Sequence, residues 1–456
     1  MAIASTKLNT VERKFILFLG DLLIILASLN VFINHAIDRE FISSRVQITL
    51  FVAGLVFYFT TAYVLDFFNV QRISRRRFVI SQSVYITGIY VFATFLFAVI
   101  VYDASFWRRP LLAFLLLTPA EIVLWRFLMR NIFRVIPITK NVLYIYDDQS
   151  EEFLAQDTSA INGHEMETFY QVKLTYCVSE QKKENNRFFL DAAEKVDTWV
   201  LNVKNYDDLS GDLEKALIRS MIRGKEVITF TSFYENTYEA LPIRSYNDSF
   251  YEVLQLRNRK IRYLQQLFGF GVNLMLSVLV GILFLLVVPF VWFFNLFFNR
   301  GPLFYVQKRV GLYGKEFKIY KFRSMVVNAE QEGAKMASRN DTRITPFGKL
   351  LRIFRIDELP QIISVIKGDM HFIGPRPERK VFVDELNKKL PFYNVRHLIK
   401  PGITGWAQVK YKYGENLEDS IRKLEYDLYY IKNQSSTLDL RIVFKTITTI
   451  LFSRGI

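Results

Sequence analysis

The chain has 456 residues, of which 51% are hydrophobic and 23% are charged, and its formal net charge is +15 at pH 7. Apolar and charged residues in these proportions must occupy separate blocks, which is typical of a membrane protein with cytosolic parts, and the length exceeds one ordinary domain. The single cysteine excludes an intrachain disulfide, and four histidines without a CxxC motif disfavour a zinc site. The positive charge alone fits nucleic acid, anionic lipid or phosphate-bearing substrates.

Four hydrophobic blocks fill the first third of the chain, at residues 15–34, 46–65, 78–101 and 111–127. Each is close to the length of about 20 residues that a membrane helix needs. Basic residues cluster before the first block, between the second and third, and after the fourth, as at Arg13, Arg76 and Arg134. The positive-inside rule therefore predicts four spans with both ends of the bundle in the cytoplasm. Asp21 and Glu121 fall inside spans and need polar partners there.

Residues 141–255 have a soluble pattern. Short runs rich in β-branched and aromatic residues, at 142–146, 198–202 and 226–230, alternate with helical patterns such as 209–223. This alternation predicts a small parallel α/β domain that is Rossmann-like. Asp147 and Asp148 follow its first strand where a dinucleotide fold needs a glycine-rich turn, which disfavours nucleotide binding. A regulatory or oligomerising role is the better hypothesis.

A second long apolar stretch covers residues 270–298. As a straight helix it would be roughly 43 Å long, whereas the hydrocarbon core of a membrane is about 30 Å thick. Basic residues such as Arg262 and Arg300 flank both ends, which places both flanks in the cytoplasm. Since Pro289 lacks a backbone donor, we expect a helix that breaks there, enters one leaflet and returns. The alternative is a fifth span, with the last third of the chain outside.

Several polar groups suited to phosphate chemistry follow this stretch. The run 317–323 predicts a strand with Lys321 and Arg323 on one face, and two adjacent cations suit a diphosphate. Asp357 and Glu358 precede a short buried helix, at the positive end that keeps carboxylates ionised. Such a pair is a common capping feature, but an aspartate there can also attack phosphorus while its neighbour binds a metal or moves a proton. A rigid Gly-Pro-Arg-Pro turn presents Arg376.

Five motifs, taken in order, make the chain resemble a known family from about residue 260 to residue 456. They are Tyr320-Lys-Phe-Arg323, Asp357-Glu-Leu-Pro-Gln361, Gly374-Pro-Arg-Pro-Glu378, Lys400-Pro-Gly-Ile-Thr-Gly-Trp406 and Tyr426-Asp-Leu-Tyr-Tyr-Ile-Lys-Asn433. The segment is similar to the bacterial sugar transferases, which are monotopic polyprenyl-phosphate phosphoglycosyl transferases. The whole chain resembles their large exopolysaccharide-type members, which transfer glucose or galactose phosphate to undecaprenyl phosphate.

The resemblance implies a two-step reaction. Asp357 attacks the β-phosphate of a UDP-hexose and UMP leaves; undecaprenyl phosphate then takes the sugar phosphate from the aspartate. By the same resemblance Mg²⁺ is the cofactor, with Asp357 and Glu358 as ligands, although Glu358 could instead carry a proton. Lys321, Arg323 and Arg376 are the expected phosphate-binding residues. Asp427 also matches a family position, where it could either serve the substrate or only orient its neighbours.

The sequence thus predicts three parts: an α-helical membrane bundle of four spans over 1–140, a small Rossmann-like α/β domain over 141–255, and a mixed α/β catalytic domain with a re-entrant membrane helix over 256–456. The family implies a bacterial cytoplasmic membrane, with the middle and catalytic domains in the cytoplasm, and a homodimer by analogy. Two alternatives remain: a UDP-releasing glycosyltransferase, and an inactive membrane scaffold or sensor of lipid-linked sugars. Because the basic residues are scattered over membrane flanks and phosphate motifs, no nucleic-acid partner is expected.

Overall fold

The structure is a computed structural model of the chain. It describes residues 10–36, 44–64, 67–68, 76–101, 108–135, 140–147, 170–178, 196–203, 209–243, 263–299, 301–327, 329, 341–390, 392–411 and 417–451. These residues fall into two compact units, Met1–Phe230 and Thr231–Ile456. The three-domain boundaries expected from the sequence stay a prediction.

The first unit begins with four helices at the four hydrophobic blocks: α1 (Thr10–Ala36), α2 (Ser44–Val64), α3 (Arg76–Val101) and α4 (Arg108–Val135). One buried core draws on all of them, as at Ile25, Tyr58, Tyr90 and Ile122. Among the described residues, two helical stretches are long and apolar enough to cross a membrane, Glu12–Val31 in α1 and Gly269–Phe298 in the second unit; Val52–Tyr63 and Val79–Phe92 are shorter apolar stretches. The four-span topology stays a prediction.

Both acidic residues inside the predicted spans have the polar partners that they need. Asp21 forms a fully buried ion pair with Arg126 and accepts a hydrogen bond from the Tyr58 hydroxyl at 3.0 Å. The carboxylate of Glu121 accepts a hydrogen bond of 2.8 Å from Ser28. These contacts tie α1 to α2 and α4, which is a structural role for charges in an apolar bundle.

A four-stranded sheet completes the first unit. Its strands are β1 (Lys140–Tyr146), β2 (Tyr170–Cys177), β3 (Thr198–Asn202) and β4 (Glu226–Thr229), in the order β2-β1-β3-β4, and all pairs are parallel. Helix α5 (Gly211–Ile222) connects β3 to β4 and buries Leu213 and Leu217 beside Trp199. The predicted parallel α/β arrangement is confirmed for these residues, while its Rossmann-like classification stays a prediction. Asp148 lies outside the described residues.

Helix α6 (Phe230–Tyr238) starts at the last residue of the first unit and otherwise belongs to the second. The 36-residue helix α7 (Tyr263–Phe298) is the next helix of the described chain. The helix is assigned continuously through Pro289, and the predicted re-entrant break at that residue stays a prediction. A proline removes one backbone donor, and here the helix packs on the same unit on both sides of it, through Phe284 and Val291. The re-entrant path itself stays a prediction.

The remainder of the second unit mixes short strands and helices. Its elements are β5 (Phe304–Val310), β6 (Glu316–Phe322), α8 (Pro346–Ile353), α9 (Ile362–Ile366), β7 (His371–Ile373), α10 (Lys380–Lys389), β8 (Gly402–Thr404), α11 (Trp406–Lys410), α12 (Leu417–Asn433) and α13 (Ser436–Leu451). Strands β5 and β6 form an antiparallel hairpin, whereas β7 and β8 pair in parallel. Buried Trp406 and Tyr430 share a core with apolar residues of α7, so the long helix is part of this unit's packing.

Candidate active site

Asp357 and Glu358 lie in a 3₁₀ helix, Ile356–Gln361, that leads directly into α9. The acidic pair is therefore inside a tight turn rather than just outside an α-helix. Ile356 and Leu359 pack with apolar side chains of α7, including the turn around Pro289. The dyad is thus anchored beside the most apolar helix of the unit.

Glu358 is surrounded by cations. Its Oε1 accepts hydrogen bonds from Lys321 Nζ at 3.0 Å and from Arg376 Nη2 at 2.7 Å, and Arg355 Nη1 lies 4.0 Å from its Oε2. Arg355 has φ 55° and ψ 19°, a left-handed conformation that is unfavourable for a residue with a Cβ. Strained backbone of this kind concentrates at functional sites, and here it occurs two residues before Asp357.

The environments of the two carboxylates push their pKa values apart. Burial raises the pKa of Asp357, and the neighbouring Glu358 charge raises it further, although Lys321 opposes both. Burial would also raise the pKa of Glu358, but Arg376, Lys321 and Arg355 together hold it well below the usual range. The expectation that a helix end keeps both groups ionised therefore fits Glu358 better than Asp357. Among the described residues, Asp357 Oδ1 is buried without a hydrogen-bond partner.

Arg376 is held by the backbone of a tightly packed turn. Gly374 N donates to Thr404 O at 2.9 Å, and Gly402 N donates to Pro375 O at 2.9 Å. A Cβ on Gly402 would lie 2.1 Å from Gly374 N, so only glycine allows the two loops to approach this closely. The predicted rigid turn is therefore braced by the glycine-punctuated loop, and it presents Arg376 to Glu358.

A buried ion pair supports the same turn. Arg396 Nη2 donates to Asp427 Oδ2 at 2.8 Å and to the carbonyl oxygen of Arg376 at 2.9 Å. The side chains of Arg396 and Asp427 are 7% and 3% exposed. Burial raises the pKa of Asp427, and the charge of the paired Arg396 lowers it. Of the two roles considered for Asp427, these contacts favour orientation of neighbouring groups.

The comparisons with known proteins concern the same part of the chain. A family model described as bacterial sugar transferase matches residues 264–453. The uncharacterized sugar transferase EpsL of Bacillus subtilis is 41% identical over 160 residues, which are 34% of this chain and 73% of that protein. The chain therefore belongs to the bacterial sugar transferase family.

Two further relatives are named for the reaction that they catalyse. The UDP-N-acetylgalactosamine-undecaprenyl-phosphate N-acetylgalactosaminephosphotransferase of Aeromonas hydrophila is 53% identical over 157 residues, which are 34% of this chain and 37% of that protein. The undecaprenyl-phosphate galactose phosphotransferase of Salmonella typhimurium is 32% identical over 243 residues, 48% of this chain and 49% of that protein. The similarity thus spans from about a third to about half of the length of these relatives.

Within this sugar transferase unit, the structure brings together some of the predicted site residues and separates others. Lys321, Arg376 and the dyad meet at Glu358. Arg323 lies one residue beyond β6, and its Nε donates to Pro302 O at 3.0 Å, so it does not share the contact of Lys321. The phosphate role of Arg323 stays a prediction.

Sequence reasoning missed three cations of this site. Arg355 contacts Glu358, and the charge of Arg352 acts to lower the pKa of Asp357. Arg396 supports the turn that carries Arg376. Arg355 is two residues before Asp357, and that proximity in sequence was an available signal. Arg396 pairs with a residue 31 positions away, for which a single sequence holds no signal.

The donor set fits a divalent cation in part. Oxygen ligands are what Mg²⁺ requires, and the partnerless Oδ1 of Asp357 can supply one, with diphosphate oxygens of a substrate as the other natural ligands. Both carboxylate oxygens of Glu358 face cationic side chains instead. The described residues contain no cluster of three or more acidic, histidine or cysteine side chains that could hold a metal alone.

Proposed function

We propose that this chain transfers a hexose 1-phosphate from a UDP-hexose to undecaprenyl phosphate, releases UMP and thereby starts the assembly of a surface polysaccharide. The observation that carries the proposal is the asymmetry of the dyad. Asp357 offers a buried oxygen without a hydrogen-bond partner among the described residues, next to a carboxylate that already holds Lys321, Arg355 and Arg376. A nucleophile beside clustered cations suits attack on a diphosphate.

In the first step, a carboxylate oxygen of Asp357 forms a bond to the β-phosphorus of the UDP-hexose. The bond from that phosphorus to the bridging oxygen breaks, and its electron pair leaves on UMP. Lys321, Arg355 and Arg376 are within reach of the charge on the phosphates, since all three already surround the neighbouring Glu358.

In the second step, a phosphate oxygen of undecaprenyl phosphate bonds to the same phosphorus. The bond to the Asp357 oxygen breaks and regenerates the carboxylate, leaving a polyprenyl diphosphohexose. When bound, Mg²⁺ would neutralise phosphate charge, held by Asp357 and by oxygens of the substrate. Glu358 keeps the cations assembled before the diphosphate arrives.

We also propose that α7 attaches the transferase unit to the cytoplasmic face of a bacterial membrane without crossing it. Asn273 Oδ1 accepts from Phe372 N at 2.8 Å near one end, and Asn299 Nδ2 donates to Arg323 O at 2.8 Å at the other. These contacts are separated by about 39 Å of ideal helix, which exceeds the roughly 30 Å of a hydrocarbon core. A unit rich in ionised groups cannot follow a helix through that core, so contact along its whole length supports attachment from one side.

The opposite side of α7 has the chemistry of a lipid contact. Its large apolar side chains are exposed, among them Leu274, Leu285, Phe290 and Phe297 at 55%, 71%, 67% and 59%. Since the residues that flank the dyad pack on this helix, the dyad would lie near the headgroups, where a lipid phosphate can reach it.

The enzymatic proposal is tested by isotope exchange in purified full-length protein. A covalent sugar-phosphate aspartate requires that labelled UMP exchange into UDP-hexose with Mg²⁺ but without lipid, and that Asp357→Asn abolish the exchange. Asp384→Asn is a matched control, because Asp384 is half exposed in an ion pair with Lys380. Lipid-dependent UDP instead of UMP would indicate the glycosyltransferase alternative. Unchanged exchange in Asp357→Asn would refute the nucleophile, and no turnover with any UDP-hexose would favour the scaffold.

The attachment proposal is tested by labelling two positions that flank the apolar face of α7. Gln266 precedes the apolar stretch and Pro302 follows it, and the native cysteine, Cys177, is buried and can be replaced by alanine. We expect Gln266→Cys and Pro302→Cys to react with a membrane-impermeant maleimide only from the cytoplasmic side. Labelling of the two positions from opposite sides would show an ordinary span.

A further inference from the structure

The transferase unit contains a segment that precedes the family match. The match begins at residue 264, whereas the compact unit begins at Thr231. We call residues 231–243 the strap. Leu241 and Ile243 of the strap are 0% and 4% exposed and share a core with Leu424 of α12, so the segment is folded into the unit rather than laid on its surface.

The strap is bound to α12 by polar contacts as well. Leu241 N donates to the carbonyl oxygen of Glu425 at 3.1 Å, and the Tyr234 hydroxyl donates to Glu425 Oε2 at 3.0 Å. Glu235 forms an ion pair with Lys432, about two turns further along the helix. Because α12 also carries Asp427, these contacts fix the helix that holds Arg396.

Glu239 connects the strap to the loop that braces Arg376. Its carboxylate pairs with Lys410 and, at 3.1 Å, with Arg441, and its carbonyl oxygen accepts from Trp406 Nε1 at 2.9 Å. Glu239 has a φ of 54°, a left-handed conformation that needs support from its surroundings. Burial would raise the pKa of Glu239, but Lys410 and Arg441 lower it to about 2, so the carboxylate is ionised at working pH.

Two chains of contacts therefore lead from the strap to one residue of the site. The first runs from Glu239 through Trp406 to the loop that ends at Gly405, whose glycines pack directly against Gly374 and so against the turn that presents Arg376. The second runs from Tyr234 through α12 to Asp427 and Arg396, which donates to the Arg376 carbonyl. Both end at the backbone of the arginine that contacts Glu358.

We propose that the strap is a positioning element of the transferase, with Glu239 and Tyr234 as positioning residues that hold Arg376 where the diphosphate of the sugar nucleotide binds. Neither residue touches the dyad in the contacts described above; each acts through the groups between them. The kinetic part of this inference rests on the proposed function, whereas its structural part does not. Loosening a group that aligns the substrate weakens catalysis by on the order of ten- to a hundredfold.

The test compares Glu239→Gln, Glu239→Asp and Tyr234→Phe with the wild type in the full-length protein. Glu385→Gln is the matched control, because Glu385 is 57% exposed in an ion pair with Lys389 at 2.6 Å. Two readouts are needed: UMP release as a function of UDP-hexose concentration, and hydrogen exchange of the peptides that contain 374–378 and 402–406. Exchange requires no turnover, so a wild type that releases no UMP would refute the proposed function and still leave the strap testable.

We expect Glu239→Gln to raise the KM for UDP-hexose at least tenfold, with a smaller change in kcat, and to speed exchange in both peptides; Glu239→Asp should recover part of both effects because it restores the charge. Tyr234→Phe should act in the same direction. Kinetics and local exchange like those of Glu385→Gln would overturn the proposal. A uniform rise in exchange over the whole unit, with an unchanged KM, would also overturn it, since that is the signature of general destabilisation.

Discussion

Removal of the carboxylate of Asp427 is the sharpest test of how the site is held. Asp427→Asn leaves the Arg396 guanidinium buried with an amide in place of its counter-charge. The amide can still accept one hydrogen bond and keeps the size of the side chain. The main loss is therefore charge compensation for a cation that cannot shed its proton.

The burial of this ion pair determines how much stability the protein loses in Asp427→Asn. With side chains 7% and 3% exposed and 2.8 Å apart, the pair is in the class where removal of one partner costs about 3–5 kcal/mol. Because asparagine still accepts a hydrogen bond, we expect the lower end, about 3 kcal/mol. For a unit of this size that loss lowers the unfolding midpoint by roughly 6–12 °C.

A double variant separates stability from positioning. Arg396→Met with Asp427→Leu replaces the pair by apolar side chains and should recover most of the lost stability. It cannot restore the hydrogen bond from Arg396 to the carbonyl oxygen of Arg376, so UMP release should stay low. Thermal unfolding in detergent, monitored through hydrogen exchange of the α12 peptide, measures the change in stability. A midpoint in Asp427→Asn within about 2 °C of wild type would refute the reasoning, since it implies a cost below about 1 kcal/mol.

Three further outcomes follow from packing and burial. Gly348→Ala should destabilise the unit strongly, because the new Cβ would lie 2.0 Å from the backbone oxygen of Ser324; loss of the folded fraction on expression measures it. Leu428→Ala, at a fully buried core position, should lower the free energy of unfolding by about 2–5 kcal/mol in denaturant titrations. Burial raises the pKa of Asp439 from 3.8 to about 6 despite its hydrogen bond from Tyr430. Its contribution to stability is therefore complete below about pH 4 and is lost, by up to about 3 kcal/mol, as the pH rises through 6, and Asp439→Asn should remove that part of the pH dependence.

Much of the fold could be predicted from the sequence because its signals are local. Four apolar blocks became α1 to α4, and the β-rich runs became β1, β3 and β4 of a parallel sheet. The apolar stretch 270–298 is the greater part of α7. The helix is assigned through Pro289, since a proline's effect depends on what packs around it. Val287, Val288 and Val291 face the core of the unit and keep the helix in place on both sides of the proline.

The site was predictable where chemistry and motif coincide, and not where it depends on contacts distant in sequence. Lys321 and Arg376 are 55 residues apart and both reach Glu358, as cations near an acidic pair would be expected to do. The pairing of Arg396 with Asp427 and the strap's contact with Trp406 depend on tertiary packing, which no local pattern encodes. The same holds for the left-handed backbone of Arg355, since arginine has no preference for it.

The unequal surroundings of the dyad favour a division of labour between two adjacent carboxylates. A nucleophile needs an oxygen lone pair that is not already shared with donors, and Glu358 shares its Oε1 with Lys321 and Arg376. Ion pairs with three cations also lower the basicity of that carboxylate, so it is the weaker nucleophile toward phosphorus. Asp357 keeps one oxygen without a donor among the described residues, in a buried position where a charge is poorly solvated and therefore more reactive. The cations that lower the basicity of Glu358 are also the groups that can neutralise the charge of a diphosphate. The same three side chains therefore make Glu358 a poor nucleophile and bind the substrate that Asp357 attacks.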